Sequence, residues 1–140
     1  MTLQYKINDM KENDRIKQTI IIRKDLQLNN GKLIVQACHA SIAFLTDKMK
    51  DNLSNPEALW WVLSQVEKEW VYGTFYKICL GVDSEKELID IGHKAVTLGL
   101  TVKYIEENTG FNKPTLTCLA IGPDYSSKID TVTKHLKLYA

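Results

Sequence analysis

The sequence predicts an α/β fold, a three-layer domain with a mixed sheet of about four strands flanked by helices. Three observations carry that prediction. Short β-branched runs alternate with stretches of helical period, in the order strand, helix, helix, strand, helix, strand, strand, helix. The connection between Val82 and Val102 holds one helix, the crossover that joins parallel strands. The loop from Glu106 to Thr115 is short enough for a hairpin, which adds an antiparallel pair and makes the sheet mixed.

Residues 1–17 are polar and charged without a sustained period, and are predicted to form a flexible arm before a domain over 18–140. Residues 18–24, with Thr19-Ile20-Ile21-Ile22 at their centre, read as a buried central strand. Gly31 ends a turn, and residues 32–48 follow as an almost wholly apolar, buried helix. Asn55-Pro56 offers a cap and a first-turn proline for a second helix reaching about Trp70, with Leu59, Leu63 and Val66 at helical spacing. Residues 75–82 read as a strand. Ser84 and Glu87 form a capping box before a helix carrying Leu88, Ile91 and Ala95 on one face, stopped at Gly99. Residues 101–106 and 116–121 are strands, Ser127 opens a short last helix, and Leu136-Lys137-Leu138 ends extended.

Composition narrows the function classes. With 140 residues, 44% hydrophobic and 25% charged, the chain makes one ordinary globular domain. A net charge of +1 argues against wholesale nucleic-acid binding, so phosphate contacts must come from a local cluster. Gln36, His39 and Ser41 interrupt the longest apolar run, which excludes a membrane span there. No charged-then-apolar leader is visible, and Cys38, Cys79 and Cys118 lack CxxC or zinc spacing, so they read as reduced core thiols of a cytoplasmic protein.

The stretch from Arg23 to Ala40 carries the chemistry. A strand end bearing Arg23, Lys24 and Asp25 leads through Asn29-Asn30-Gly31 to Lys32, Gln36 and His39, which share one helix stripe. Ligands of mixed sheets gather at strand carboxyl ends, which makes the Glu106–Thr115 loop a neighbour. Gly31-Lys32 is not a Walker loop, because Leu26 and Leu33 stand where a glycine and a hydroxyl are needed. Cys38 and His39 are adjacent on a helix and point about 100° apart, which argues against a thiol–imidazole dyad. Glu106 and Glu107 are paired carboxylates able to raise one pKa or orient water, while Thr115 and Thr117 have either β propensity or a binding hydroxyl to offer. Trp60, Trp61 and Trp70 suit helix core or a dimer interface better than a base-stacking platform.

Four ordered strings, Ile-Ile-Ile-Arg-Lys-Asp-Leu, Asn-Gly-Lys-Leu-Ile-Val-Gln-Ala-Cys-His-Ala, Ala-Ile-Gly-Pro and the closing Ile129-Asp130 to Leu138 segment, together resemble the type II peptidyl-tRNA hydrolases. The resemblance runs from about Gln18 to Tyr139. It implies hydrolysis of the ester between a peptide and the terminal ribose of tRNA, without metal or organic cofactor, by a protein that is often dimeric. Lys32, His39, Asp25, Arg23 and Thr115 fall on family positions, and Glu107 stands where the family usually has aspartate. The segment from Asn108 to Thr115 departs from the family, shorter by about two residues and without its basic-Thr-Gln element.

The resulting expectation is a water-using esterase in which Glu107 or Asp25 orients or deprotonates the water. Lys32, with Thr115 and His39, stabilises the oxyanion. Arg23, Lys24, Gln36, Asn108 and Thr109 contact the tRNA-borne substrate. The altered loop keeps two alternatives open: a tRNA- or protein-binding module of weak activity, and an esterase for a different acyl group.

Overall fold

A computed structural model describes residues 14–140. Most of the expected arm lies outside the described residues, and the first strand opens at Ile16, two residues earlier than its apolar run suggests. Among the described residues, four strands form one sheet: β1 (Ile16–Arg23), β2 (Lys77–Val82), β3 (Val102–Glu107) and β4 (Thr115–Tyr125). Five helices accompany them: α1 (Asn30–Asp51), α2 (Leu59–Val62), α3 (Gln65–Tyr72), α4 (Glu85–Thr97) and α5 (Ser126–Thr133). The sheet order is β2-β1-β4-β3. β1 pairs with β2 in parallel, and β4 is antiparallel to both β1 and β3. The mixed three-layer fold is as expected, and the α4 crossover carries the chain from one sheet edge to the other.

Strand periodicity divides the core between two faces. Ile20 and Ile22 pack with Cys118, Ala120 and Ala40 under α1. Ile21 packs with Leu119 and Ile121 against Leu88, Ile91 and Ala95 of α4 and Ile129 of α5. Each buried Ile or Leu among them contributes about 1.5–3 kcal/mol by leaving water. The sheet is thus held from both sides, and β1 is buried along almost its whole length. Gln18 is buried as well, and exchanges hydrogen bonds with Ser41, tying the strand to α1.

Three expectations need correction. The helix α1 is not buried: only Gln36, Ala40 and Phe44 are, whereas Ile34, Val35, Ile42 and Met49 are exposed. Its apolar residues run round the whole helix, but the sheet can cover just one side. Cys38 belongs to that outer side and is exposed, so it is not a core thiol. The second helix is not continuous to Trp70. Leu63 turns extended, and Ser64 starts α3 with a capping box to Glu67, a signal present in the sequence that the apolar spacing overrode. Trp70 is a core residue on Phe44, while Trp60 and Trp61 stay outside.

Candidate active site

The carboxyl ends of β1, β2 and β3, the start of β4 and the N-terminus of α1 meet at one end of the molecule. Asn29 caps α1, its side-chain oxygen accepting from the Lys32 amide at 2.9 Å. No acidic residue occupies the first turn. The positive end of a 22-residue helix therefore faces the site without a neutralising carboxylate.

At the centre is a hydrogen-bonded chain that reaches from the core to the surface. Thr117 Oγ1 donates to Gln36 Oε1 at 2.6 Å, and Gln36 Nε2 donates to Glu107 Oε2 at 2.7 Å. Thr117 and Gln36 are almost fully buried. A bulge makes this possible. Ile105 pairs with Cys118 but Glu106 pairs with Leu116, so Thr117 is the extra residue on β4. Thr117 and its neighbour Cys118 both turn toward α1 as a result, the thiol donating to the Gln36 carbonyl at 3.5 Å. Burial pushes the Cys118 thiol up to about 11, which leaves it without nucleophilic character.

The Glu107 carboxylate is oriented through both oxygens. Its Oε1 accepts from the Thr109 amide at 2.9 Å. That backbone bond, together with the Lys32 charge and the bonds from Asn108 and Gln36, holds Glu107 below the usual carboxylate range against the opposing effect of desolvation. Glu106 and Glu107 do not act as a pair: adjacent strand residues point to opposite faces, and Glu106 lies on the α4 side. The raised pKa that paired carboxylates offer is accordingly absent at Glu107.

Lys32 reaches across from α1 and donates to the Thr109 carbonyl, with its ammonium 4.9 Å from the centre of the Phe111 ring. Gly110 permits this approach. Its φ of +83° suits glycine, and a Cβ there would stand 2.8 Å from the lysine Nζ. The loop from Thr109 to Phe111 therefore closes directly over the lysine. Asn108 contributes through its backbone, and Thr115, register partner of Glu107, turns its hydroxyl to the Lys113 carbonyl at 2.9 Å.

The remaining predicted residues separate into two groups. Arg23 is buried, with Nε and Nη2 on the two Asp25 oxygens at 3.2 and 2.7 Å, Nη1 on the Leu116 carbonyl at 3.0 Å and Glu85 at 3.7 Å. The Asp25 hydrogen bond, more than its charge, raises the already high Arg23 pKa. Arg23 thus braces β1, β4 and α4 and holds Asp25, while Lys24 is exposed, its ammonium 6.0 Å from the centre of the Tyr139 ring. His39 shares the Lys32 stripe but is exposed two turns further along, with no hydrogen bond or ion pair among the described residues. Sequence reasoning assigned no partner to Thr117 and missed Phe111. Nothing in the local sequence marks the bulge that aims the first, and the aromatic in a Gly-Phe loop was the available signal for the second.

Comparison with known proteins bears on the family of the whole domain. The family model described as "Peptidyl-tRNA hydrolase PTH2" matches residues 16–139. A peptidyl-tRNA hydrolase of Methanocaldococcus jannaschii is 41% identical over 126 residues, 88% of this chain and 99% of that protein. A probable peptidyl-tRNA hydrolase 2 of Dictyostelium discoideum is 36% identical over 138 residues, 96% of this chain and 60% of that protein. A peptidyl-tRNA hydrolase of Thermococcus onnurineus is 35% identical over 126 residues, 89% of this chain and 98% of that protein. With a match that spans every strand and helix of the sheet domain, the chain belongs to the peptidyl-tRNA hydrolase PTH2 family.

Proposed function

We infer that this protein hydrolyses the ester joining peptide to tRNA, with Lys32 and Glu107 as its catalytic residues. The observation that carries the reading is their convergence: Gln36 and the Thr109 amide hold an ionised Glu107 within the field of Lys32. A carboxylate kept this firmly ionised is a weak base. It first orients a water by accepting its hydrogen bond, and takes the proton as the new C–O bond forms. Oxygen of the carbonyl becomes an oxyanion, which Lys32 stabilises with an ammonium proton while another stays on the Thr109 carbonyl. Collapse of the tetrahedral intermediate expels the ribose oxygen, which receives the proton held by Glu107. Asp25, ion-paired to the buried Arg23 guanidinium that it neutralises, is the less suited base.

Lys24 and the exposed lysines near the site meet tRNA phosphates, and the Asn108–Thr109 backbone together with Thr115 lines the ester. His39 lies on the approach to Lys32 and serves substrate binding before chemistry. The protein acts in the cytoplasm, where its substrate is made; no helix of the described residues is long and apolar enough to cross a membrane. It works as a homodimer through the outer face of α1, where Val35, Cys38, Ile42, Leu45 and Met49 follow the three-four spacing of a helix–helix seam.

Incubation with peptidyl-tRNA, following release of free tRNA, tests the assignment. Lys32→Ala is expected to lower kcat by about 100- to 1,000-fold, as removal of one oxyanion donor does. Full turnover by that variant would exclude Lys32 from the chemistry.

A further inference from the structure

We propose that the free edge of β3 is the subsite for the peptide moiety, which adds to the sheet there as a parallel strand. The proposal rests on the esterase reading, because that reading puts the peptide's carboxyl end at Glu107.

The two edges of the sheet are treated differently. Along β2 the chain's own end supplies a partner: the Gly81 amide donates to the Lys137 carbonyl at 3.1 Å, and the Tyr139 amide to the Cys79 carbonyl at 3.0 Å. Leu80 and Leu138 form the bridge between them. At the opposite edge β3 pairs with β4 alone, and no backbone bond from elsewhere among the described residues reaches residues 102–107. None of its six residues is buried, whereas seven of the eight in β1 are. An open edge is a template for an extended chain, which it binds by main-chain hydrogen bonds.

Direction and position select the occupant. β3 runs toward the site and ends at Glu107, one of the two proposed catalytic residues. A peptide whose last carbonyl is the reacting ester extends its N-terminal residues back along that strand, parallel to it. Main-chain pairing recognises an extended chain whatever its side chains. Alternate side chains also have somewhere to go. On the α4 side a groove of about 800 Å³ follows β3, lined by Ile89, His93, Val96, Tyr104, Glu106 and Leu116 among others. On the α1 side Lys103 is drawn off the edge by Asp47 at 2.9 Å. Six residues at about 3.3 Å each give a track of about 20 Å.

The test is steady-state kinetics on one tRNA charged with peptides of one to eight residues, with and without N-methylation of single peptide amides. KM should fall as the peptide lengthens to about six residues and then level, with kcat unchanged. N-methylation should raise KM by about three- to tenfold at every second position, the size of one lost hydrogen bond, and little at those between. A KM indifferent to length beyond the first residue, or to N-methylation at every position, would overturn the subsite and leave the esterase reading standing. A second copy of the chain seated on β3, seen as loss of dimers on Tyr104→Lys, would overturn it as well. No turnover on any substrate would overturn both.

Discussion

Thr117→Val removes one hydroxyl at nearly constant volume and leaves the buried Gln36 Oε1 without its 2.6 Å donor. An acceptor abandoned in the core costs about 1–3 kcal/mol, more than the net worth of the bond itself. For a chain of this size that is a fall in Tm of roughly 3 °C per kcal/mol. Gln36→Leu is milder, at about 1 kcal/mol, because Thr117 keeps the Ile105 carbonyl at 3.3 Å and water replaces the amide at Glu107. The double variant swaps both partners for apolar groups and should be no less stable than Thr117→Val alone. Urea unfolding of the four proteins, with slopes compared, reads the cycle. Kinetically, Gln36→Leu should lower turnover by about tenfold or more by releasing the carboxylate. It should also move the acid limb of the pH profile upward, since the Gln36 bond helps to hold the Glu107 pKa down. Single-variant costs that simply sum in the double variant, with an unmoved acid limb, would refute the bridging role.

Glu107→Gln should reduce kcat by about 100-fold or more with little change in KM, measured on the same peptidyl-tRNA. Because the folded Glu107 pKa is lowered, the acid limb of the wild-type kcat profile should lie below that of an ordinary glutamate. The stability linked to this shift is present above the unfolded pKa and is lost as pH falls through the folded one. Asp25→Asn weakens the brace on a buried Arg23 and should cost about 1–3 kcal/mol in urea unfolding, short of a fully buried pair because Asp25 is 32% exposed. Trp70→Ala should cost about 3–5 kcal/mol, whereas Trp61→Ala, at 79% exposure, should stay within about 0.5 kcal/mol. KM for peptidyl-tRNA should rise with salt, as releasing the counterions displaced by phosphate contacts gains less entropy.

Local pattern was enough for most of the elements and for the residues that meet at the candidate site. The β-branched run of β1, the Ser84 cap of α4 and the Gly-Lys start of α1 are short-range features that mark those elements. Lys32, Gln36 and Glu107 were also legible, as polar residues at a strand end or within an apolar helix. What local pattern cannot contain is which surface another element covers. The apolar residues circling α1 do not say that only Gln36, Ala40 and Phe44 face inward. Nor do two adjacent glutamates reveal that the sheet sends them to opposite faces. The Thr117 role depends on one unpaired residue in a pairing between strands, and Arg23 becomes a buried brace only when Asp25, Leu116 and Glu85 arrive around it. The sequence by itself determined the fold class, the family and the candidate chemistry, because these follow from residue type and spacing along the chain. Tertiary structure alone decided the register, the bulge and the open β3 edge, because each is a relation between segments that meet only when the chain folds.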